Sequence, residues 1–220
     1  MYGSAAIDKN LERKIFLGKK ILNGYYPISI IDLDLRSLVK FNNYEGFRFG
    51  LGGVTNDKLS EKYKIAFYGA YGIKDEAFKF GITPSYLLDP TSETWISASY
   101  SDDLNEISQI TFATDPRRFK IYDPRPINIS TFYGNKTTSL FVESNYFPKT
   151  ETYFALFNSQ INPKFDYTFI NKDNEYKTYT ITAFQAAIQW NPFSNYMQTP
   201  KSRIEIEKRH PKFSFQVTQT

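Results

Sequence analysis

Apolar and polar residues alternate along residues 43–88 in a pattern that predicts three β-strands joined by short polar turns. Large apolar side chains, most of them aromatic, occupy every second position, and mainly small or charged residues lie between them. Successive side chains of a strand point to opposite faces of a sheet, so each segment has one large apolar face and one small or polar face. The apolar positions are Phe47, Phe49 and Leu51 in the first segment, Tyr63, Ile65, Phe67 and Tyr71 in the second, and Phe78, Phe80, Ile82, Tyr86 and Leu88 in the third.

This pattern is typical of two kinds of β-sheet protein. In a soluble sandwich the apolar face packs inward against a second sheet and the polar face meets water. In a transmembrane barrel the apolar face meets lipid and the small or polar face lines the lumen. Three features favour the barrel: the aromatic character of the apolar faces, the small residues opposite them, and segments of about the 9–11 residues that a tilted membrane strand needs.

The barrel interpretation assigns different surroundings to the two faces. The charged residues Arg48, Lys64 and Lys79 alternate with the aromatic ones and are predicted to face the lumen. Glu45 would lie on the face opposite Arg48 in a regular strand, so we leave it out of the lumenal set. The aromatic residues predicted to face lipid are Phe47, Phe49, Tyr63, Phe67, Tyr71, Phe78, Phe80 and Tyr86.

Taken with those three features, alternation in the rest of the chain predicts an all-β fold, an antiparallel meander of about ten strands that forms part of a transmembrane β-barrel. One strand is expected over residues 28–35, and another over 94–101 that ends in a solvated turn at Asp102 and Asp103. Threonines and apolar residues change places near Ala183, which predicts a bulge there. The remaining predicted strands cover residues 138–147, 151–161, 164–170, 176–190, 203–207 and 213–217.

The two ends of the chain do not match a complete barrel. Residues 1–23 are predicted to be a polar lead-in with a short helix over 5–17, and they lack the apolar core of a signal peptide. The alternation also stops in mid-pattern at Thr220. Either the barrel interpretation is wrong, or residues 24–220 are a partial barrel domain of a longer protein, truncated at both ends. Residues 115–126, with two Asp-Pro-Arg triplets, are expected to form an irregular excursion that folds into the lumen.

Composition limits the chemistry that the protein can perform. The 220 residues include no cysteine, which excludes disulfides and thiolate catalysis. The net charge of +4 is modest, and we expect no nucleic-acid partner. A single histidine, His210, excludes metal sites that need two. Asp102 and Asp103 are neighbours that would point to opposite faces of a strand, a poor arrangement for paired-carboxylate catalysis. We predict neither a cofactor nor an enzymatic activity.

Several short motifs together resemble the DUF5686 family. The resemblance implies a large outer-membrane protein of Bacteroidetes, in which a signal peptide and a carboxypeptidase-regulatory-like sandwich precede a β-barrel. The motifs are Asn43-x-Glu45-Gly46-Phe47-Arg48, Leu51-Gly52-Gly53-x-Thr55-Asn56, Tyr68-x-Ala70-Tyr71-Gly72-x-Lys74-Asp75, Phe78-Lys79-Phe80-Gly81, Ser99-Tyr100-Ser101-Asp102-Asp103-Leu104 and Glu205-x-Glu207-x-Arg209-x-Pro211-x-Phe213.

The family has no defined molecular activity, so the resemblance implies location more than mechanism. It implies the outer membrane as the site of the protein. Its expected partners are the lipid bilayer, lipopolysaccharide and the rest of its own barrel. Transport, secretion or surface assembly is the expected class of function. The first alternative is a soluble or periplasmic β-rich module that binds a ligand or carbohydrate, and the second is a lipid-modifying outer-membrane enzyme.

Overall fold

A computed structural model of the protein describes residues 20–21, 23–107, 112–114, 131–171, 174–198, 203–207 and 209–220. The predicted helix over 5–17 and the predicted excursion over 115–126 lie outside these ranges. Within them, no helix has the length and apolar character needed to cross a membrane.

Eleven strands form one open antiparallel sheet, so the predicted all-β meander is confirmed. The strand order is β1-β2-β4-β5-β6-β7-β8-β9-β12-β15. Strands β2 and β3 both pair with the same edge of β4, β2 along residues 53–55 and β3 along residues 46–49. The strands are β1 (Tyr25–Ile28), β2 (Ile31–Asp34), β3 (Val39–Asn42), β4 (Gly46–Thr55), β5 (Tyr63–Gly72), β6 (Ala77–Asp89), β7 (Thr94–Glu106), β8 (Phe132–Ser144), β9 (Thr150–Pro163), β12 (Tyr179–Trp190) and β15 (Phe213–Gln219).

Two small hairpins lie outside this sheet. One consists of β10 (Phe169–Asn171) and β11 (Asn174–Tyr176), and the other of β13 (Asn195–Gln198) and β14 (Arg203–Glu207). The single strands predicted over 164–170 and 176–190 are therefore wrong in their bounds, because a hairpin interrupts the chain between β9 and β12. The predicted hairpin of 138–147 and 151–161 corresponds to β8 and β9, which pair along their full length.

The first predicted strand, over residues 28–35, is instead a hairpin. Ser29 has a φ of 55°, a left-handed conformation that reverses the chain. Ile28 consequently pairs with Ile31, and β1 runs antiparallel to β2. A short 3-10 turn over Leu35–Ser37 then separates β2 from β3.

The predicted bulge near Ala183 is also wrong. Strand β12 pairs with β9 in unbroken register from Tyr179 opposite Ile161 to Trp190 opposite Thr150. Thr180, Thr182 and Phe184 therefore share one face of a regular strand. The change from threonine to apolar residues reflects different surroundings along one face, not a break in strand geometry.

The predicted turn at Asp102 and Asp103 is replaced by strand. β7 continues to Glu106, and both aspartates lie in its ladder with β8, opposite Lys136 and Asn135. Each carboxylate has a cationic partner, Lys136 for Asp102 and Arg48 for Asp103. These ion pairs stabilise the charges within the strand, so the aspartates do not require the hydration that a turn would provide.

The two faces of the sheet differ in burial, and the face with the large apolar side chains is the exposed one. Its large apolar side chains are exposed, as shown by Phe78 at 73% and Leu51 at 58%, whereas Lys79 on the opposite face is only 4% exposed. We call these the apolar face and the small-residue face. The buried hydrophobic residues of the described chain are chiefly alanines, Ala70, Ala155, Ala183 and Ala187, with Phe132 and Ile161.

Candidate functional site

The apolar face carries all eight aromatic residues that the alternation assigns to one side. Their exposure runs from 36% for Phe67 to 73% for Phe78. Neighbouring rings contact one another across strands, with centroids 4.9 Å apart for Tyr63 and Tyr86 and 5.6 Å apart for Tyr71 and Phe78. These ring pairs belong to an apolar surface that the described residues leave exposed.

The exposed apolar residues form a band that crosses the sheet diagonally. Cross-strand register defines rows of residues that lie side by side on this face. A row that begins in β4 is mostly apolar as far as β6 and polar from β7 onward. Its members are Leu51, Gly69, Phe80, Asp102, Lys136, Gln160 and Thr180.

A second row, closer to the other ends of the strands, stays apolar from β5 to β15. Its members are Tyr63, Tyr86, Ile96, Val142, Phe154, Ala186 and Val217. In β12 and β15 the band continues beyond this row through Ile188 and Phe215, which pair with each other. The apolar band thus moves along the strand direction as it crosses the sheet.

The slope of the band follows from register and standard spacings. Between β4, where the band centres on Phe49, and β15, where it centres on Phe215, the shift along the strands is about ten residues, or roughly 34 Å. The strand order from β4 to β15 crosses seven strand spacings, which also amount to roughly 34 Å. The band therefore makes an angle of roughly 45° with the row direction.

Polar residues occupy the apolar face on one side of this band. On β7 and β8, Lys136 Nζ lies 3.2 Å from an Asp102 carboxylate oxygen. On β9 and β12, Asn158 Nδ2 donates to Thr182 Oγ1 over 2.8 Å. We call the set Asp102, Lys136, Thr138, Asn158, Gln160, Thr180 and Thr182 the polar patch.

The small-residue face carries the three cations that alternation assigned to it. Arg48 and Lys79 are 7% and 4% exposed and belong to one buried ionic cluster. Lys64 lies apart from that cluster, with its Nζ 4.3 Å from the centroid of the Trp95 ring. The sequence therefore predicted the shared face of these residues, but not the separation of Lys64 from the other two.

The ionic cluster is centred on Arg48. Its guanidinium makes a bidentate contact with Asp103, at 2.6 and 3.0 Å, and lies 3.6 Å from a Glu45 oxygen. Lys79 Nζ lies 2.7 Å from the same Glu45 oxygen and 2.5 Å from Asp75. The Tyr68 hydroxyl donates to Asp103 over 2.7 Å. Every charged group of the cluster thus has a partner of opposite sign.

Glu45 joins this cluster because it precedes the regular strand. It follows a turn in which its backbone N–H donates to Asn42 Oδ1, and Gly46 after it has a φ of +67°. That backbone directs the Glu45 side chain to the face of Arg48, so the expectation of opposite faces is wrong. Glu45 is only 1% exposed. Alternation missed it because period-two reasoning applies only inside a strand.

Glycines on the small-residue face give the cluster its space. A Cβ at Gly81 would lie 2.4 Å from Tyr68 Cε1, and one at Gly72 would lie 2.2 Å from Asp75 Oδ1. Arg48 of β4 and Asp103 of β7 are three strand spacings apart, roughly 14 Å in a flat sheet. Their contact therefore indicates that this face is concave.

A groove lies on the same concave face, nearer the other ends of the strands. Its walls include Glu93, Trp95, Glu143 and Tyr153, and Thr114 of the β7–β8 connection also lines it. Next to Thr114, the Ala113 backbone N–H donates to Gln216 Oε1 of β15 over 2.9 Å. Part of the β7–β8 connection thus folds onto the concave face, while the Asp-Pro-Arg segment lies outside the described ranges.

Groups with catalytic potential are not brought together in the part of the chain that the structure describes. His210 is exposed between β14 and β15, and Asp102 contacts Lys136. Among the described residues, no group of three or more acidic or histidine side chains is arranged to hold a metal ion. In the β13–β14 region, hydrogen bonds from Arg209 and Asn195 lower the pKa of Glu207.

Comparison with known proteins identifies the family of the chain. The sequence profile described as "Family of unknown function (DUF5686) C-terminal domain" matches residues 13–220. No curated protein and no solved structure matches the chain. Since the profile covers nearly the whole sequence, the chain belongs to the DUF5686 family and represents its C-terminal domain.

Proposed function

We propose that this chain is a wall segment of an outer-membrane β-barrel, with its apolar face against lipid and its small-residue face toward the lumen. The partners in this proposal are the lipid bilayer, lipopolysaccharide at the outer leaflet, and further strands of the same barrel. Transport, secretion or surface assembly is the function that such a wall would serve.

The diagonal apolar band carries the proposal. Strands of transmembrane barrels tilt by about 35–45° from the barrel axis. The residues that contact the lipid layer therefore form a band that is oblique to the strands. The roughly 45° slope of the band on this sheet matches that tilt. In a sandwich the buried face follows the contact with a second sheet, and aligned sheets differ in strand direction by only about 30°.

The height of the band also supports a lipid-facing role. On β6 the exposed apolar residues extend from Phe78 to Leu88, roughly 33 Å along the strand. A tilt of about 45° reduces this to roughly 23 Å, close to the apolar band of about 25 Å in outer-membrane barrels. Soluble monomers rarely expose apolar patches beyond a few hundred Å².

Two arginine substitutions on one strand test the proposal. Leu156 and Gln160 both lie on the apolar face of β9, but Leu156 is in the band and Gln160 is in the polar patch. Leu156→Arg should destabilise the membrane-inserted protein by about 2–4 kcal/mol, and Gln160→Arg by about 0–1 kcal/mol. Urea unfolding of the full-length protein in lipid vesicles measures both.

A water-exposed face would give a different result. Arginine is well solvated at either position of a soluble sheet, so the two variants would then have similar stability. Equal free energies of unfolding, with the protein soluble in the absence of detergent, would refute the membrane proposal. That outcome would favour the ligand- or carbohydrate-binding module.

A further inference from the structure

We infer that the strand ends near Glu45 face the cell exterior and that the strand ends near Ser92 face the periplasm. This inference rests on the proposed membrane function. The Glu45 end carries the turn before β4, the β5–β6 turn, the β7–β8 connection and the β9–β12 segment. The Ser92 end carries the β4–β5, β6–β7 and β8–β9 turns and the β12–β15 segment.

Strands β7, β8 and β9 extend beyond the apolar band mainly at the Glu45 end. In β8 the band ends at Leu140, and the strand continues toward Phe132 through Thr138 and Lys136. This is a polar extension of roughly 20 Å along the strand. At the other end, β8 stops at Ser144, two residues past Val142 in the band. Polar extensions that lie mainly beyond one edge of the band indicate a sheet whose two ends are unequal.

Two of the three long connections between strands of the sheet lie at the Glu45 end, which also carries the short β5–β6 turn of residues 73–76. At the Glu45 end, residues 107–131 join β7 to β8, and residues 164–178 join β9 to β12. At the Ser92 end, β6 and β7 are joined by residues 90–93, and β8 and β9 by residues 145–149. Outer-membrane barrels have long loops outside the cell and short turns in the periplasm.

The long connection at the Ser92 end contacts a short turn where it leaves β12. It begins at Asn191, whose backbone N–H donates to the Lys149 carbonyl over 2.8 Å. Lys149 Nζ in return donates to the Pro192 carbonyl over 2.7 Å, and Asn191 and Ser194 are fully buried. The Asn145 N–H also donates to the Ser92 carbonyl over 2.8 Å. The β6–β7 turn, the β8–β9 turn and the start of the β12–β15 segment are thus bonded to one another, which suits the membrane side with compact connections.

Single cysteine variants test the orientation cleanly, because the 220 residues contain no cysteine. Asp166→Cys and Lys177→Cys report on the Glu45 end, and Lys58→Cys and Thr91→Cys report on the Ser92 end. All four positions are exposed. The probe is a polyethylene-glycol maleimide too large to pass through porins, applied to intact cells that produce the full-length protein.

We expect the two variants at the Glu45 end to show a gel shift on intact cells, and the two at the Ser92 end to shift only after the outer membrane is permeabilised. The reverse pattern would overturn the orientation and leave the membrane proposal intact. Absence of labelling on intact cells at all four positions, followed by labelling after permeabilisation, would also overturn it.

A fifth and sixth variant separate failure of the orientation from failure of the membrane proposal. Leu156→Cys lies in the apolar band and Gln160→Cys in the polar patch of the same strand. In isolated membranes, a small water-soluble maleimide should label Gln160→Cys and leave Leu156→Cys unlabelled. Equal labelling of the two would refute the membrane proposal itself, whatever the four cysteine variants near the strand ends show.

Discussion

Buried charges on the small-residue face depend on one another for their stability. Glu45, Arg48 and Lys79 are nearly inaccessible to solvent, and each contacts a group of opposite charge. A buried ion pair gains little net free energy over an apolar pair, but loss of one member leaves a costly uncompensated charge. The cluster therefore specifies how β4 to β7 curve more than it adds to stability.

Arg48→Met should destabilise the protein far more than Lys64→Met. Removal of Arg48 leaves Asp103 without its bidentate partner and should cost about 3 kcal/mol of unfolding free energy. Lys64 Nζ lies over the Trp95 ring, and loss of that contact should cost about 0.5–1 kcal/mol. Urea titration of the detergent-solubilised protein measures both.

The double variant Arg48→Met with Asp103→Leu provides the control for this prediction. It removes both charges, so it should recover much of the stability lost in the single variant. Similar losses for Arg48→Met and Lys64→Met would contradict a central role for Arg48.

Gly81→Ala should destabilise the sheet, whereas Gly69→Ala should not. The added methyl group at Gly81 would meet the Tyr68 ring and displace the hydroxyl that binds Asp103, at a cost of about 1–3 kcal/mol. A Cβ at Gly69 has no neighbour within 4 Å. Thermal unfolding in detergent would compare the two variants.

Replacement of Tyr68 by alanine tests the cause of this effect. In a Tyr68→Ala background the ring is absent, so Gly81→Ala should cost little further stability. If the Gly81→Ala penalty stays the same in that background, contact with Tyr68 is not its cause.

Residue identity predicts faces better than it predicts contacts. Period-two alternation was sufficient to place Arg48, Lys64 and Lys79 on one side of the sheet. It placed Glu45 on the wrong face, because the direction of that side chain depends on the turn before β4. It also gave no information about the contact that Asp103 makes with Arg48 across two intervening strands. Such contacts depend on sheet curvature, which no local pattern encodes.

Elements of this fold change their surroundings along their length. β12 begins with exposed threonines and continues with exposed Phe184, Ile188 and Trp190 on the same face. The sequence pattern predicts a bulge here only if one face of a strand has a single environment. The strand is regular, and the diagonal apolar band accounts for the change.

Glu207 at the end of β14 should titrate below the usual range of a glutamate. Its pKa is lowered by hydrogen bonds from Arg209 and Asn195. Because the folded-state pKa is lowered, the hydrogen bonds of the Glu207 carboxylate stabilise the folded protein above the ordinary pKa of a glutamate. This stabilisation is lost as the pH falls through the lowered pKa. Carboxyl NMR shifts of the labelled protein, recorded from neutral to acidic pH, would give the midpoint.

Arg209→Gln is the matched control for this titration. It removes the guanidinium that donates to both Glu207 oxygens, at 2.9 and 3.0 Å. The pKa of Glu207 should then move back toward its ordinary value. An unchanged midpoint would show that Arg209 does not perturb the carboxylate in solution.

The molecule as a whole has the inside and outside of an ordinary globular protein exchanged. Among the described residues, the buried hydrophobic ones are mainly alanines, whereas most phenylalanines and several leucines are exposed. This arrangement would be unfavourable in water, because apolar side chains gain free energy from water only by being removed from it; that is, their burial stabilises a protein and their exposure does not. Lipid would remove that cost without a second protein layer.

The full-length protein should therefore migrate differently in SDS gels before and after boiling. A closed barrel resists SDS because every strand has hydrogen-bonded neighbours and no free edge. The measurement combines gel mobility with circular dichroism of the β type in detergent. A protein that needs no detergent and shows no heat-dependent shift would contradict the lipid-facing assignment of the apolar face.

The contact between Arg48 and Asp103 has a consequence for the order of folding. The β4–β5, β5–β6 and β6–β7 pairings join strands adjacent in sequence, and each of these hairpins closes a short loop at small entropic cost. The ion pair instead joins residues 55 positions apart. Because β4 and β7 meet only through β5 and β6, this contact forms after three hairpins are in place. Its loss should accelerate unfolding and leave the folding rate nearly unchanged. The cluster would therefore slow the unfolding of a sheet that is already assembled.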